Sequence, residues 1–255
     1  MLVPPRSELA LERPLALQEA LDGLRPSVLV NAAAFHDVDR CELEPERALE
    51  INALAVGRAA RLAGDRDVLF VTISTDYVFD GNTGRPYTED DLAHPLSVYG
   101  MSKLAGEYLV ERLHPGAFVV RTCGLYGERA AAGTDRSFAA RILAQARAGQ
   151  PVRVVNDVTV SPTFAGDLAD ALRLLIESGA PGLYPAVNDG AVSWYDFARE
   201  LFGQAGVERG PEPIVAAQWK AQAVRPRFSA LENRRLGALG IALPSWRDGI
   251  AAYLR

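Results

Sequence analysis

The chain has 255 residues, of which 49% are hydrophobic and 23% charged, with a formal net charge of -5. This is enough to bury one large core or two unequal ones, and the charge content is that of an ordinary globular protein. Lysines and arginines are scattered rather than clustered, which argues against a nucleic-acid or anionic-membrane surface and points to a small-molecule partner.

The two cysteines, Cys41 and Cys123, are too few for a disulfide framework, and no signal-peptide pattern precedes Arg6-Ser7-Glu8. A cytoplasmic location is therefore expected. No apolar run reaches the roughly 18 residues needed to span a bilayer.

In chain order, Leu15 to Leu24 reads as an amphipathic helix and Val28-Leu29-Val30 as a buried strand. Asn31-Ala32-Ala33-Ala34 then places small residues at the strand's C-terminal end, where open α/β sheets bind ligands. Glu44 to Leu62 is predicted as one helix, with Pro45 near its start, Ala48, Ile51, Ala55, Ala59 and Leu62 along one face, and Gly64 closing it. Val68 to Ile73 is the next strand and delivers Ser74 and Thr75 to the same edge. A loop punctuated by Gly and Pro runs from Asp80 to Pro95 and leads into a helix carrying Tyr99. Phe118-Val119-Val120 is a further strand.

Beyond Tyr126-Gly127 a Gly/Ala-rich loop extends to Gly133, followed by a predicted helix from Arg136 to Ala148 and a short strand from Val152 to Val155. Asp167 to Ile176 is helical, and Ser193 is a candidate N-cap for a helix running to Phe202. Strands alternating with helices predict an α/β fold, a doubly wound parallel sheet, spanning residues 1–180. Residues 181–255 would form a small α+β substrate lobe, with 151–163 belonging to either.

The chemistry is concentrated in Tyr99-Gly100-Met101-Ser102-Lys103 and in Ser74-Thr75-Asp76-Tyr77-Val78-Phe79 upstream of it. A Tyr and a Lys four apart on a helix share a face, so an ammonium can hold the phenol and lower a pKa that is ordinarily about 10. Thr75, at the end of the preceding strand, can bond the same substrate oxygen. Two donors on one carbonyl oxygen leave its carbon open to hydride, so the reaction class suggested is carbonyl reduction.

Further motifs accompany this pair: Val30-Asn31-Ala32-Ala33-Ala34, Asp37-Val38-Asp39, Asn52-Ala53, Lys103-Leu104-Ala105-Gly106-Glu107, Arg121-Thr122, Leu125-Tyr126-Gly127, Val155-Asn156-Asp157, Ser161-Pro162-Thr163 and Ser193-Trp194-Tyr195-Asp196. With them the chain resembles the extended, sugar-nucleotide branch of the short-chain dehydrogenases/reductases, most closely the dTDP-4-dehydrorhamnose reductases. The resemblance implies a Rossmann-like fold and reduction of the C4 ketone of a dTDP-4-keto-6-deoxyhexose by NADPH or NADH, giving dTDP-L-rhamnose. By the same resemblance Tyr99 is the proton donor, Lys103 positions it and holds the nicotinamide ribose, and Thr75 bonds the reacting oxygen. The cofactor-facing set would be Asn31, Ala33, Ala34, Phe35, His36, Ser74, Tyr99 and Lys103. The substrate-facing set would be Val38, Thr75, Asp76, Gly124 and Arg225. A homodimer is compatible with the resemblance.

Three departures stand out. Family members begin with a strand, a Gly-rich turn and a helix that cradles the pyrophosphate, whereas no glycine precedes Gly23 here and Met1-Leu2-Val3-Pro4 aligns with the end of the second strand. Because the residues of the reaction centre are retained, a longer natural enzyme is the expectation. The alternative is a non-catalytic relative that binds a nucleotide sugar or a partner and has lost the dinucleotide fingerprint. Ser7-Glu8-Leu9 is followed by Ala10-Leu11 where relatives carry an Asp, and Gly124 stands where an aromatic commonly follows Arg-Thr-x.

His36, His94 and His114 are dispersed and show no metal-ligand spacing, so no catalytic metal is expected; Mg²⁺, which some relatives bind, finds no support in the sequence. Trp194, Tyr195 and Phe197 read as core aromatics at a helix start.

Overall fold

Residues 2–4, 9–127 and 137–255 are described by the computed structural model, and in them strands and helices alternate as the apolar patterning predicts. The first half runs α1 (Pro14–Leu24), β1 (Val28–Asn31), α2 (Val38–Leu43), α3 (Pro45–Leu49), a π turn (Glu50–Leu54), α4 (Ala55–Gly64), β2 (Leu69–Thr75), a 3₁₀ turn (Asp76–Val78), α5 (Val98–Leu113) and β3 (Phe118–Thr122). There follow α6 (Phe138–Arg147), β4 (Arg153–Val155), β5 (Thr159–Val160), α7 (Ala165–Ser178), β6 (Gly182–Pro185), β7 (Val192–Ser193), α8 (Trp194–Gln204), β8 (Glu212–Ile214), α9 (Arg234–Ala238) and α10 (Trp246–Tyr253). The Ser7-Glu8 part of one motif, the loop as far as Gly133 and Arg136 lie outside the described residues.

β1, β2, β3 and β6 form one parallel sheet in that order, with Thr75 at the end of β2 opposite Thr122 at the end of β3. Side chains alternate across each strand, so Phe70 and Val119 pack with Leu17, Leu21, Val56, Ala63 and Val110 on one face. Val71 and Val120 pack with Leu168, Leu175, Tyr184 and Leu236 on the other. Helices on both faces explain why these strands read as continuous apolar runs.

Two small ladders lie outside this sheet, β4 parallel to β8 and β5 antiparallel to β7. Their helices close a separate core around Tyr126, Ile142, Val154, Phe197, Leu201 and Trp246. The main sheet therefore reaches past residue 180, since β6 joins it, while 153–155 pair with 212–214 in the smaller lobe. Ser193 caps α8, its hydroxyl accepting from the Asp196 N–H at 3.0 Å. Phe197 is fully buried, with Trp194 and Tyr195 packed around the same cluster.

The helix predicted over Glu44 to Leu62 is interrupted. The π turn widens it at Asn52, whose carboxamide accepts from the Phe35 N–H at 2.8 Å and donates to the Phe35 carbonyl at 3.0 Å. α5 packs hard against this turn; a Cβ on Gly106 would lie 2.2 Å from the Asn52 carbonyl oxygen. No helix among the described residues is long and apolar enough to cross a membrane.

Candidate active site

Parallel order brings the C-terminal ends of β1, β2 and β3 to one edge, and α5 crosses above it. Ser97 caps α5 by accepting from the Gly100 N–H at 3.2 Å, which fixes where its first turn begins. That turn holds Tyr99. Gly100 permits the approach, because a Cβ there would sit 2.2 Å from the Tyr77 carbonyl oxygen. A second anchor runs through the helix itself: Ser102 Oγ donates to the Tyr99 carbonyl at 2.8 Å and accepts from Asn52 Nδ2 at 3.0 Å.

Between sheet edge and helix lies a cavity of about 640 Å³ lined by Ala32, Ala33, Ala34, His36, Ser74, Thr75, Asp76, Tyr99, Lys103, Thr122 and Gly124. Thr75 and Tyr99 both line this cavity, and the Thr75 hydroxyl donates to Asp76 Oδ1 at 3.2 Å. Lys103 donates from Nζ to the Ile73 carbonyl at 2.6 Å.

Burial dominates the electrostatics. It pushes the Tyr99 phenol well above its ordinary value, against the influence of Thr75, which acts downward. The expectation that the lysine lowers the tyrosine is thus reversed: Tyr99 keeps its proton at neutral pH. Burial likewise brings Lys103 down to about 8, with the Glu107 carboxylate opposing it. Asp76 is raised to about 6 by burial, although Ser229 donates to it at 2.5 Å.

Behind these groups is a buried ion pair that the sequence reading assigned no role. Glu107, one turn beyond Lys103, accepts from Arg121 Nη2 at 2.6 Å and Nε at 3.0 Å, and from the Ser74 hydroxyl. Arg121 stacks over Phe79 with its Cζ 5.0 Å from the ring centre. The network ties α5, β2 and β3 together at the residues next to Ile73 and Thr75. Its only sequence signal is that a Glu and an Arg stand inside otherwise apolar segments.

Other predicted residues are placed differently. Phe35 is buried with Cys41, Ala48 and Ile51 instead of lining the cavity. Asn31 is buried, donating to Thr72 Oγ1 at 3.1 Å and accepting from the Ala33 N–H at 3.0 Å, so it shapes the turn behind the alanines. Val38 is half-buried at the start of α2 and faces neither large cavity. Arg225 lines a second cavity, of about 610 Å³, with Tyr77, Trp194, Trp219, Arg141 and Arg153. Gly124, at φ +53°, sits where the two meet: a Cβ there would be 2.7 Å from Trp194 Cη2. Among the described residues no group of three or more His, Cys, Asp or Glu is gathered to hold a metal.

Over residues 1–255 the chain matches the family described as the RmlD substrate binding domain. It is 35% identical over 231 residues to the spore coat polysaccharide biosynthesis protein SpsK of Bacillus subtilis, covering 91% of this chain and 80% of that one. A dTDP-4-dehydrorhamnose reductase of Mycobacterium tuberculosis is 38% identical over 234 residues, covering 89% and 76% respectively. The crystal structure of dTDP-4-dehydrorhamnose reductase from Bacillus anthracis in complex with NADP is similar with a TM-score of 0.93 at 31% identity, covering 98% of this chain and 88% of that one. With the fold, the cleft and the sequence in agreement, the chain belongs to the dTDP-4-dehydrorhamnose reductase family of oxidoreductases.

Proposed function

We propose that this chain reduces the C4 ketone of a dTDP-4-keto-6-deoxyhexose, dTDP-4-dehydrorhamnose to dTDP-L-rhamnose, with hydride from NAD(P)H and a proton from Tyr99. The observation that carries the reading is the convergence of Tyr99, Thr75 and Lys103 on one cavity in which burial keeps the phenol protonated.

The residues present fit the nicotinamide half of the cofactor. Three alanines leave one wall of the cavity free of bulk, Lys103 offers a cation from the other, and Thr122 Oγ1, on a residue lining the same space, is a buried hydroxyl without a hydrogen-bond partner among the described residues. When bound, the cofactor supplies the hydride. Thr75 and Tyr99 hold the ketone oxygen from two sides, so the charge developing on it is met by donors already in position. The Tyr99 proton passes to that oxygen as the C4–H bond forms. Lys103, charged below about pH 8, stabilises the phenolate left behind until solvent returns the proton. The second cavity, with two Trp and three Arg side chains, suits the base and diphosphate of the nucleotide.

The test is NADPH consumption by the purified chain with the dTDP-linked 4-keto sugar, with the product identified by a gain of two hydrogens. Nucleotide-sugar binding with no turnover, under conditions where NADPH also binds, would overturn the reductase reading in favour of a binding protein.

A further inference from the structure

The smaller lobe reaches the catalytic edge through an exposed loop that two carboxylates hold. Asp39, the second residue of α2, accepts through Oδ1 from the backbone N–H groups of Gln222 and Ala223, both at 2.9 Å, and from Arg225 Nη1 at 3.1 Å. Its Oδ2 accepts from Arg225 Nη2 at 2.9 Å. Asp157 adds a second anchor, accepting from the Ala216 N–H at the loop's start at 2.6 Å and from Arg227 Nη1 just past its end at 3.3 Å. Between these anchors little apolar surface is buried: Trp219 is 47% and Val224 62% exposed. The loop's position therefore depends on polar anchors rather than on a core.

Arg225 extends the connection inward. Besides pairing with Asp39 it lines the second cavity together with Tyr77, whose ring meets that of Tyr99 edge-on, with centroids 5.8 Å apart and planes at 79°. We infer that Asp39 is a positioning residue: it clasps the loop 216–225 onto the N-terminal half so that Arg225 keeps its place in the cavity it shares with Tyr77, and Tyr77 backs the ring of Tyr99. An isolated exposed ion pair would do little. Here the pairing is bidentate, both partners are partly buried, and two backbone N–H groups converge on the same oxygen. These hydrogen bonds, led by that from Arg225, hold the Asp39 carboxyl down at about 2, so it stays charged throughout the working range.

The inference rests on the reading of Tyr99 as the acid, and the experiment separates the two. Asp39→Asn keeps the shape while removing the charge and one acceptor; Arg225→Lys keeps the charge while removing the fork. Each should lower kcat/KM for the sugar nucleotide by about tenfold, the scale of a charge-assisted hydrogen bond. NADPH affinity should change less than about twofold, because neither residue lines the first cavity. The double variant should be no worse than Arg225→Lys alone, since Asp39 acts through that arginine. Wild-type kinetics in Asp39→Asn, or strictly additive losses, would overturn the inference. Should the wild-type chain reduce no sugar nucleotide, the functional reading fails and amide hydrogen exchange decides the clasp. Faster exchange at Gln222 and Ala223 in Asp39→Asn, with shifted Tyr77 and Tyr99 ring resonances, supports it; unchanged exchange overturns it.

Discussion

Gly100→Ala is the sharpest test of how this site is built. A methyl group at that position would stand 2.2 Å from the Tyr77 carbonyl oxygen and 2.9 Å from Pro95 Cβ, where the floor for a real Cβ contact is 3.0 Å. The shortfall against the carbonyl is about 0.8 Å, and it is taken up by backbone, because neither neighbour is a flexible side-chain end. Either α5 retreats or the turn after β2 does, and both movements separate Tyr99 from Thr75. A displacement near 1 Å at reacting groups costs about 10²-fold in rate, so kcat should fall by tens of fold to about 10². Stability has two opposing parts. Alanine gains about 1 kcal/mol of helix propensity over glycine, while overpacking costs about 1–3 kcal/mol, so a net loss near 1 kcal/mol and a drop of about 2–4 °C in Tm are expected. Gly203→Ala in α8 is the control: nothing lies within 4 Å of its Cβ position, so it should gain stability and leave kcat alone. The assays are NADPH consumption and thermal unfolding. Wild-type kcat in a Gly100→Ala variant that is equally or more stable would refute the claim that this contact sets the position of Tyr99.

Tyr99→Phe should keep NADPH binding and cut turnover by about 10²–10⁴-fold, measured by calorimetry and by steady-state kinetics on the same preparation. In a pH profile, kcat should decline as pH rises through about 8, where Lys103 loses its charge; a flat profile from 7 to about 9.5 would exclude that role. The sign for stability is opposite. Lys103 gives up its proton in the folded chain at about 8 but in the unfolded chain near 10.5, so the stability contributed by this group rises with pH between those values. Glu107→Gln strands the Arg121 guanidinium in a buried setting and should cost about 3–5 kcal/mol in denaturant unfolding, whereas Glu107→Gln combined with Arg121→Met should recover most of it; a single-variant cost below about 1 kcal/mol would show the pair to be solvated.

The strands and the Tyr99 helix were legible because burial on both faces of a parallel sheet leaves apolar runs, and because Ser193, Gly64 and the Gly/Pro-punctuated loop before Tyr99 mark element ends. The lines around Ala33, Ala34, Thr75, Tyr99 and Lys103 were legible as a motif that the fold brings to one cavity. What could not be read came from two sources. The first is whether a side chain points into the cavity or away from it: Asn31 and Phe35 stand beside the cavity in sequence, yet their side chains serve the turn and the core behind it. The second is distance along the chain. Asp39 and Arg225 are far apart in sequence, as are Asp76 and Ser229, and no local periodicity links them. The direction of the Tyr99 shift was also out of reach, since it follows from how deeply the phenol is enclosed, which i,i+4 spacing does not encode.

The π turn at Glu50–Leu54 has a consequence for which changes in chain length this protein can accept. A π turn holds one residue more than the α-helix on either side of it, so the segment behaves as a tolerated single-residue insertion. Deleting one residue there would restore an unbroken α ladder and leave composition and hydrophobicity almost untouched. The extra residue is absorbed within the turn itself, so the helix faces before and after it would stay in register. What would change is the turn itself, where Asn52 bridges Phe35 to Ser102 beneath Tyr99. The extra residue of this turn thus serves to seat Asn52 under the site, a role of chain length that a substitution scan would never detect.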